Sequence, residues 1–306
     1  MDRDRLVAMI RMGRFPLLFG GFLLFLLGAL TAVAAGHPFS PALLIVGYAI
    51  LGPAHLSVHY SNDCFDADGD RLGTPTGVSG GSGMLARYPD LRPAARLTAL
   101  LLIVISCIAG LAAFLTVLPT PLLPLLVVIG NGLGWFYSAP PVRLSSWGLG
   151  EASTAATFGL LLPGMGYLAI AGGLEAAFLL ATIPLTILGV TFILAVEMPD
   201  READALSGKM TFIVRHGIAA GLKIVLLSSA LASTFLILAT ATGNLPLMGS
   251  GGIFVLASFI PLGSSLAGYV SRPGDGEGLT RFARHTVLSL ILFAALVDAA
   301  LALLFP

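Results

Sequence analysis

The sequence predicts an all-α polytopic membrane protein, a nine-transmembrane-helix bundle around a central cavity opening to the cytoplasmic side. Three observations carry the helical membrane class and its orientation. Mean hydropathy is +0.95 and only 10% of the 306 residues are charged, where a soluble domain carries roughly 25%. Apolar stretches long enough to cross a bilayer recur from end to end. Every Lys and Arg falls on one side of the alternation that those stretches define.

The expected spans are 15–35, 41–61, 95–117, 121–139, 151–172, 176–197, 218–241, 250–270 and 285–304. Backbone groups in lipid must be satisfied within the segment, so spans of about 20 residues are helices. The first, Phe15 to Ala35, exceeds a signal peptide's apolar core and no small-residue cleavage pattern follows it, so it reads as a retained span. Prolines and glycines inside the spans, such as Pro163, Gly164 and Pro184, are ordinary for packed membrane helices and are also candidate kinks around a cavity.

Orientation follows from the basic residues. Arg3, Arg5, Arg11 and Arg14 precede span 1; Arg71, Arg87, Arg92 and Arg96 lie between spans 2 and 3; Arg143 lies between 4 and 5. Arg201, Lys209, Arg215 and Lys223 lie between or just beyond 6 and 7, and Arg272, Arg281 and Arg284 between 8 and 9. The connections near His37, Pro119, Gly173 and Asn244 have none. The positive-inside rule then gives a cytoplasmic N-terminus and an external C-terminus. The long polar connections, 62–94 and 198–217, share the cytoplasmic side, so function is expected there. Cys64 and Cys107 imply no disulfide framework.

Two acidic clusters stand out. Asn62-Asp63-Cys64-Phe65-Asp66-Ala67-Asp68-Gly69-Asp70 follows span 2. If that span continues helically, Asp63, Asp66 and Asp70 share one face. Like charges stacked so repel, and a cation relieves them; Mg2+ commonly joins one or two carboxylates to substrate phosphates. Asp200-Arg201-Glu202-Ala203-Asp204 follows span 6, with Asp200 and Asp204 again four apart. The matching positions suggest two similar halves, about 10–145 and 150–270, with helix 9 at about 285–304, within a single domain over 1–306. Such a repeat brings the clusters face to face over one cavity. The alternative, solvated loop carboxylates at a membrane surface, explains one cluster more easily than two.

The run NDCFDADGD matches the N-D-x-x-D-x-x-x-D signature of the UbiA superfamily of membrane prenyltransferases, and DREAD matches its second motif, D-x-x-x-D. YSAPPVRLSSWGLGE (137–151) and GKMTFIVRHG (208–217) are similar to the family's segments after the fourth helix and after the second motif. The resemblance runs from about residue 10 to the end. It implies a nine-helix bundle with an embedded cavity and Mg2+-dependent transfer of an isoprenyl group from a prenyl diphosphate. TPTGVSGGSG (74–83) resembles the flexible loop of the MenA-type branch, which prenylates 1,4-dihydroxy-2-naphthoate in menaquinone biosynthesis. A flexible loop suits a lid that keeps water out. It is unlike a nucleotide loop, since no Lys-Ser or Lys-Thr follows.

Diphosphate and carboxylate are both anions, so the resemblance implies Mg2+ between them, held by Asp63, Asp66, Asp70, Asp200 and Asp204 as the catalytic, metal-binding set. The metal also neutralises charge on the departing diphosphate. Asn62 adds a neutral oxygen or a hydrogen bond. Arg71, Arg143, Lys209 and Arg215 are candidate phosphate clamps, since arginine's planar fork suits phosphate; each also reads as an orientation charge. Ionisation leaves an allylic cation that needs dry apolar or aromatic walls. The acceptor's electron-rich carbon then attacks and loses a proton. Tyr137, Asn131 and Glu197 are candidates for the cavity lining, or for interhelical hydrogen bonding.

His55 and His59 share a face of span 2. A histidine metal site lacks an evident third ligand, and cavity lining or helix packing is the alternative. Asp298, deep in span 9, is an intramembrane carboxylate with a functional or a packing role. Glu151 favours the start of helix 5 through the dipole. One departure from the family is Ser145-Ser146 after Pro-Pro-Val-Arg-Leu, where many relatives have Lys, so a phosphate contact is lost or supplied elsewhere.

The expected partners are a prenyl diphosphate, an aromatic acceptor and the lipid bilayer, with no nucleic acid. Another acceptor (a glycerol phosphate lipid precursor, a sugar phosphate, another aromatic acid) or terpene cyclisation would keep the fold and metals. A secondary transporter is the reading from another class. It predicts acidic residues near mid-membrane, whereas nearly all here cluster at one face.

Overall fold

The computed structural model describes residues 2–71, 73, 81–243, 251–274 and 276–304. In chain order the helices are α1 (Arg3–Met12), α2 (Phe15–Ala34), α3 (Pro41–Asp70), α4 (Met84–Arg87), α5 (Arg92–Thr116), α6 (Leu122–Phe136), α7 (Leu144–Trp147) and α8 (Gly150–Ala156). A π-helical turn (Thr157–Leu161) leads into α9 (Leu162–Ala171). Then follow α10 (Ala176–Glu197), α11 (Arg201–Leu206), α12 (Phe212–Ala241), α13 (Gly251–Ser271) and α14 (Gly276–Leu304). Among the described residues there is no strand.

Among the described residues, eight helical stretches are long and apolar enough to cross a membrane. The expected span at 121–139 is instead the 15-residue apolar helix Leu122–Phe136. At 1.5 Å per residue it is about 22 Å long, short of a hydrocarbon core of about 30 Å. Two expected boundaries also shift. Span 2 runs on to Asp70: Ser40 caps its start (Leu43 N donates to Oγ, 3.3 Å), and Pro53 lies within it without ending it. Span 7 keeps its expected limits, since the helical run from Phe212 breaks at Gly217 (φ +82°) and resumes to Ala241. Span 9 begins at Gly276 rather than 285.

Helix α2 packs chiefly against α9, α14 and α3. Leu23, Leu24, Leu27 and Leu30 belong to an apolar cluster that also draws on α10, α12, α13 and α14, and Phe25 to one that draws on α3, α5, α6 and α9. Gly28 and Gly166 explain how closely α2 meets α9: a Cβ at either would stand 1.8 Å from a backbone carbonyl oxygen, Pro163 or Phe25. Small residues at such crossings let helices pack without a hydrophobic driving force from lipid. A buried hydroxyl chain, Thr191–Ser228 (2.8 Å), Thr191–Ser229 (3.1 Å) and Ser229–Ser265 (2.7 Å), ties α10, α12 and α13. The outer faces are apolar, as on α5 with Leu101, Ile108 and Leu115 exposed. Water would penalise that surface and lipid accepts it.

At the end of the bundle away from the aspartates, His37 Nε2 meets Glu175 Oε1 at 2.7 Å and Tyr167 Oη donates to Glu175 Oε2 at 2.9 Å. This clasp joins the α2–α3 and α9–α10 connections. It holds the Glu175 carboxyl below its ordinary value, through the His37 and then the Tyr167 hydrogen bond.

Candidate active site

The first row of aspartates rides on the last turns of α3. Asp66 and Asp70 line a cavity of about 340 Å³, and Asp63 is buried beside them. Asp68 is out of phase with the row, so it faces away and accepts from Arg92 Nη1 at 3.1 Å. Asp63 pairs with Arg14 and accepts hydrogen bonds from Ser82, from its N at 3.1 Å and from its Oγ. Gly81 lies directly on the row: a Cβ there would stand 1.9 Å from Asp70 Oδ2, and its φ is +67°. The end of the glycine-rich segment thus folds over the aspartates. Residues 74–80 of the expected lid lie outside the described residues.

The second row has a different scaffold. Met198 still has helical geometry, but Pro199 after it has no N–H for the ladder and its ring crowds the carbonyl four residues back, so α10 ends at Glu197. Asp200 then sits at the N-cap of the short α11 and Asp204 within it. Gly208 takes a left-handed conformation (φ +77°) that ends α11. Lys209 N then donates to the Asp204 carbonyl at 2.9 Å. That hook turns the Lys209 side chain between the rows. Its Nζ lies 3.1 Å from Asp66 Oδ2 and 3.3 Å from Asp204 Oδ1.

Electrostatics follow from this bridge. Burial works to lower the Lys209 ammonium, but Asp66 and Asp204 outweigh it and raise it, so Lys209 stays charged. Burial pushes the Asp204 carboxyl up, and Lys209 pulls it partly back. Asp66 also accepts from Ser138 Oγ at 2.8 Å.

The structure gathers most, but not all, of the expected residues. Asn62, Asp66, Asp70, Tyr137, Glu197, Asp200, Asp204 and Lys209 line one cavity, and Ser145 joins them. The Oδ1 of Asn62 and both carboxylate oxygens of Glu197 are buried there without a hydrogen-bond partner. Arg71 is exposed and Arg143 half-exposed with a left-handed backbone (φ +44°); neither lines the cavity. Asn131 is turned elsewhere: its Nδ2 donates to Ser106 Oγ (3.1 Å) and to the Val127 carbonyl (2.9 Å), tying α6 to α5. That is the interhelical reading rather than the lining one. Arg215 donates through Nε to the Met210 carbonyl at 2.9 Å and lies against Gly148, bracing two loops. Glu151 accepts from Phe212 N, so it caps α12 besides sitting in the first turn of α8. Asp298 is buried in α14 with both oxygens unpartnered and lies outside the cavity lining.

Three residues were not singled out by sequence. Arg14 reads as an orientation charge, and its partner Asp63 is 49 positions away. Ser138 and Ser82 carry no periodic signal, although both sit in segments that the resemblance quotes.

The donor set suits a hard divalent cation. Carboxylate oxygens are what Mg2+ prefers, and Asp66 and Asp204, from opposite rows, already approach one cationic nitrogen within 3.3 Å. Among the described residues no three acid, histidine or cysteine side chains are close enough to hold a metal together; the ammonium is the cation between the rows.

The model of the UbiA prenyltransferase family matches residues 22–276. No curated protein matches. A UbiA homologue from Archaeoglobus fulgidus bound to GPP and Mg2+ has a TM-score of 0.64 at 18% identity, covering 95% of this chain and 99% of that one. The apo UbiA homologue from Aeropyrum pernix K1 has a TM-score of 0.68 at 15% identity, over 92% and 97%. The structure of digeranylgeranylglyceryl phosphate synthase scores 0.63 at 13% identity, over 97% and 99%. At these identities the likeness establishes the fold.

Proposed function

Because this chain belongs to the UbiA prenyltransferase family, we propose that it is an Mg2+-dependent intramembrane enzyme that transfers an isoprenyl group from a prenyl diphosphate to an aromatic acceptor, 1,4-dihydroxy-2-naphthoate in menaquinone biosynthesis. The observation that carries the reading is the Lys209 bridge between Asp66 and Asp204 at one cavity. Two acidic rows suit divalent cations, and Mg2+ held between them would bring a diphosphate to the cavity.

In this reading Asp63, Asp66, Asp70, Asp200 and Asp204 hold the metal. Bound Mg2+ supplies Lewis-acid neutralisation of the leaving diphosphate. Lys209 is placed to donate to phosphate oxygens as they enter between the rows, and Asn62 and Tyr137 supply uncharged polar contacts. Arg71 and Arg143 act as clamps only if their loops move inward, since neither faces the cavity. Below the rows the walls are Leu24, Leu51, Leu161 and Ile291, with Phe158 stacked on Phe192 at 5.9 Å. These walls exclude water from the allylic cation, and aromatic faces stabilise it. The acceptor carbon then forms the new bond to C1 and loses its proton.

The same-side distribution of basic residues supports a cytoplasmic N-terminus, an external C-terminus and a cytoplasmic cavity mouth. The positions of the rows after the second and sixth expected helices support two pseudo-repeated halves and a ninth helix. The SGGSG segment supports the naphthoate branch.

The test is product analysis. Membranes containing the chain are incubated with several prenyl diphosphates and with 1,4-dihydroxy-2-naphthoate, other aromatic acids or a glycerol phosphate lipid precursor. Mass spectrometry should find Mg2+-dependent prenylated naphthoate. An ether product from the glycerol phosphate alone would replace the acceptor, and full activity in excess EDTA would remove the metal.

A further inference from the structure

On α3 the cavity-facing residues change character with depth. From the rows inward they read Asp70, Asp66, Asn62, His59, Val58, His55, Ala54 and Leu51. His59 lies seven positions before Asp66, two helical turns or about 10 Å deeper along the axis. It is the last polar group on this face before His55 and the apolar floor.

His59 is 8% exposed, and its Nε2 is buried without a hydrogen-bond partner. Most buried polar atoms are satisfied, and one left alone costs about 1–3 kcal/mol. The ring is also held in place. His55 lies 5.4 Å away, ring centroid to centroid. His55 in turn packs on α2 at Gly21, where a Cβ would stand 2.2 Å from its Cε1. A glycine at that place, a ring pressed against it and a second ring beside the first make a positioned group rather than a loose one.

We infer that His59, positioned by His55 and Gly21, is the contact for a hydroxyl group of the acceptor. This rests on the transferase reading above. Imidazole Nε2 accepts or donates according to its tautomer, and a hydroxyl does either, so it satisfies His59 in both states. A prenyl chain has no polar atom at this depth, and the diphosphate belongs with the rows. That leaves the acceptor as the substrate bearing the hydroxyl. The contact holds the ring of a phenolic acceptor beside the apolar wall with its carbon facing C1 of the prenyl group.

The experiment measures binding and turnover in His59→Leu, His59→Gln and Gly21→Ala, with 1,4-dihydroxy-2-naphthoate as acceptor and GPP as donor. His59→Leu should raise the acceptor KM by about tenfold or more, while the Kd for GPP with Mg2+ stays within about twofold. His59→Gln, which restores a donor and an acceptor, should recover most of the loss. Gly21→Ala, by displacing His55, should raise the acceptor KM with the GPP Kd again unchanged. Retained GPP binding reports an intact fold in each case. An acceptor KM unchanged in all three variants would overturn the inference, as would an equal loss of GPP binding. If the wild type itself prenylates no hydroxylated acceptor, the transferase reading fails first.

Discussion

The two aspartate rows carry the same four-residue spacing on unlike scaffolds. Asp66 and Asp70 ride on the end of a 30-residue helix with no break before Arg71. Asp200 and Asp204 stand on a six-residue helix set between a proline stop and a left-handed glycine. One row is fixed by the bundle; the other is positioned by a turn that also delivers Lys209. The difference teaches that charge pattern and scaffold are separable. The proposed anion site would join one rigid wall, on a long helix, to one carried on a short helix between two turns.

The largest expected effect tests whether the rows are equal partners. Asp66→Ala and Asp200→Ala should each lower prenyl transfer by on the order of a thousandfold, with protein yield in detergent unchanged. Near-normal turnover in either would break the pairing. Next is Lys209→Ala, which leaves two buried carboxylates facing each other without their cation and should cost about 3 kcal/mol of stability in metal-free buffer. Thermal unfolding should show Mg2+ restoring more stability to this variant than to the wild type. Equal Mg2+ stabilisation would mean that the ammonium and the metal use different places.

A smaller change sharpens the role of the rigid wall. Ser138→Ala removes one hydrogen bond from Asp66, worth about 1 kcal/mol, and should raise the GPP Kd by a few-fold; no change would detach Ser138 from the site. The clasp at the other end of the bundle serves as control. Glu175→Gln should leave transfer unaltered. The Glu175 carboxyl is depressed in the folded protein, so its contribution is present above its ordinary value of 4.5 and is lost as pH falls through the folded value. Between pH 4.5 and that lower folded value the wild-type melting temperature should drop more steeply than that of Glu175→Gln, and parallel curves across that window would contradict the clasp.

The long helices and the first row were legible because both rest on local periodicity: apolar runs for the spans, and three- and four-residue steps for Asp63, Asp66 and Asp70. The Lys209 bridge was not. It depends on the Gly208 turn bringing Lys209 against Asp66, an aspartate on the distant helix α3. Arg14 was obscured by its own charge, since an arginine before a first span already has an explanation in the positive-inside rule. The turn of Asn131 toward Ser106 was unreadable because Leu122–Phe136 is apolar almost all round, so no stripe tells which side faces a neighbour. The same apolar run left its length open. Among the described residues eight helical stretches are long enough to span, and this one is a shorter helix.

The central claim is that both rows act on one diphosphate through shared Mg2+. Calorimetric titration of GPP into purified wild type, Asp66→Asn, Asp204→Asn and the double variant, with and without Mg2+, tests it most directly. Each single variant should lose most of the Mg2+-dependent affinity, and the double should lose little more than either. Additive losses, or wild-type affinity with one row neutralised, would mean that the rows work apart.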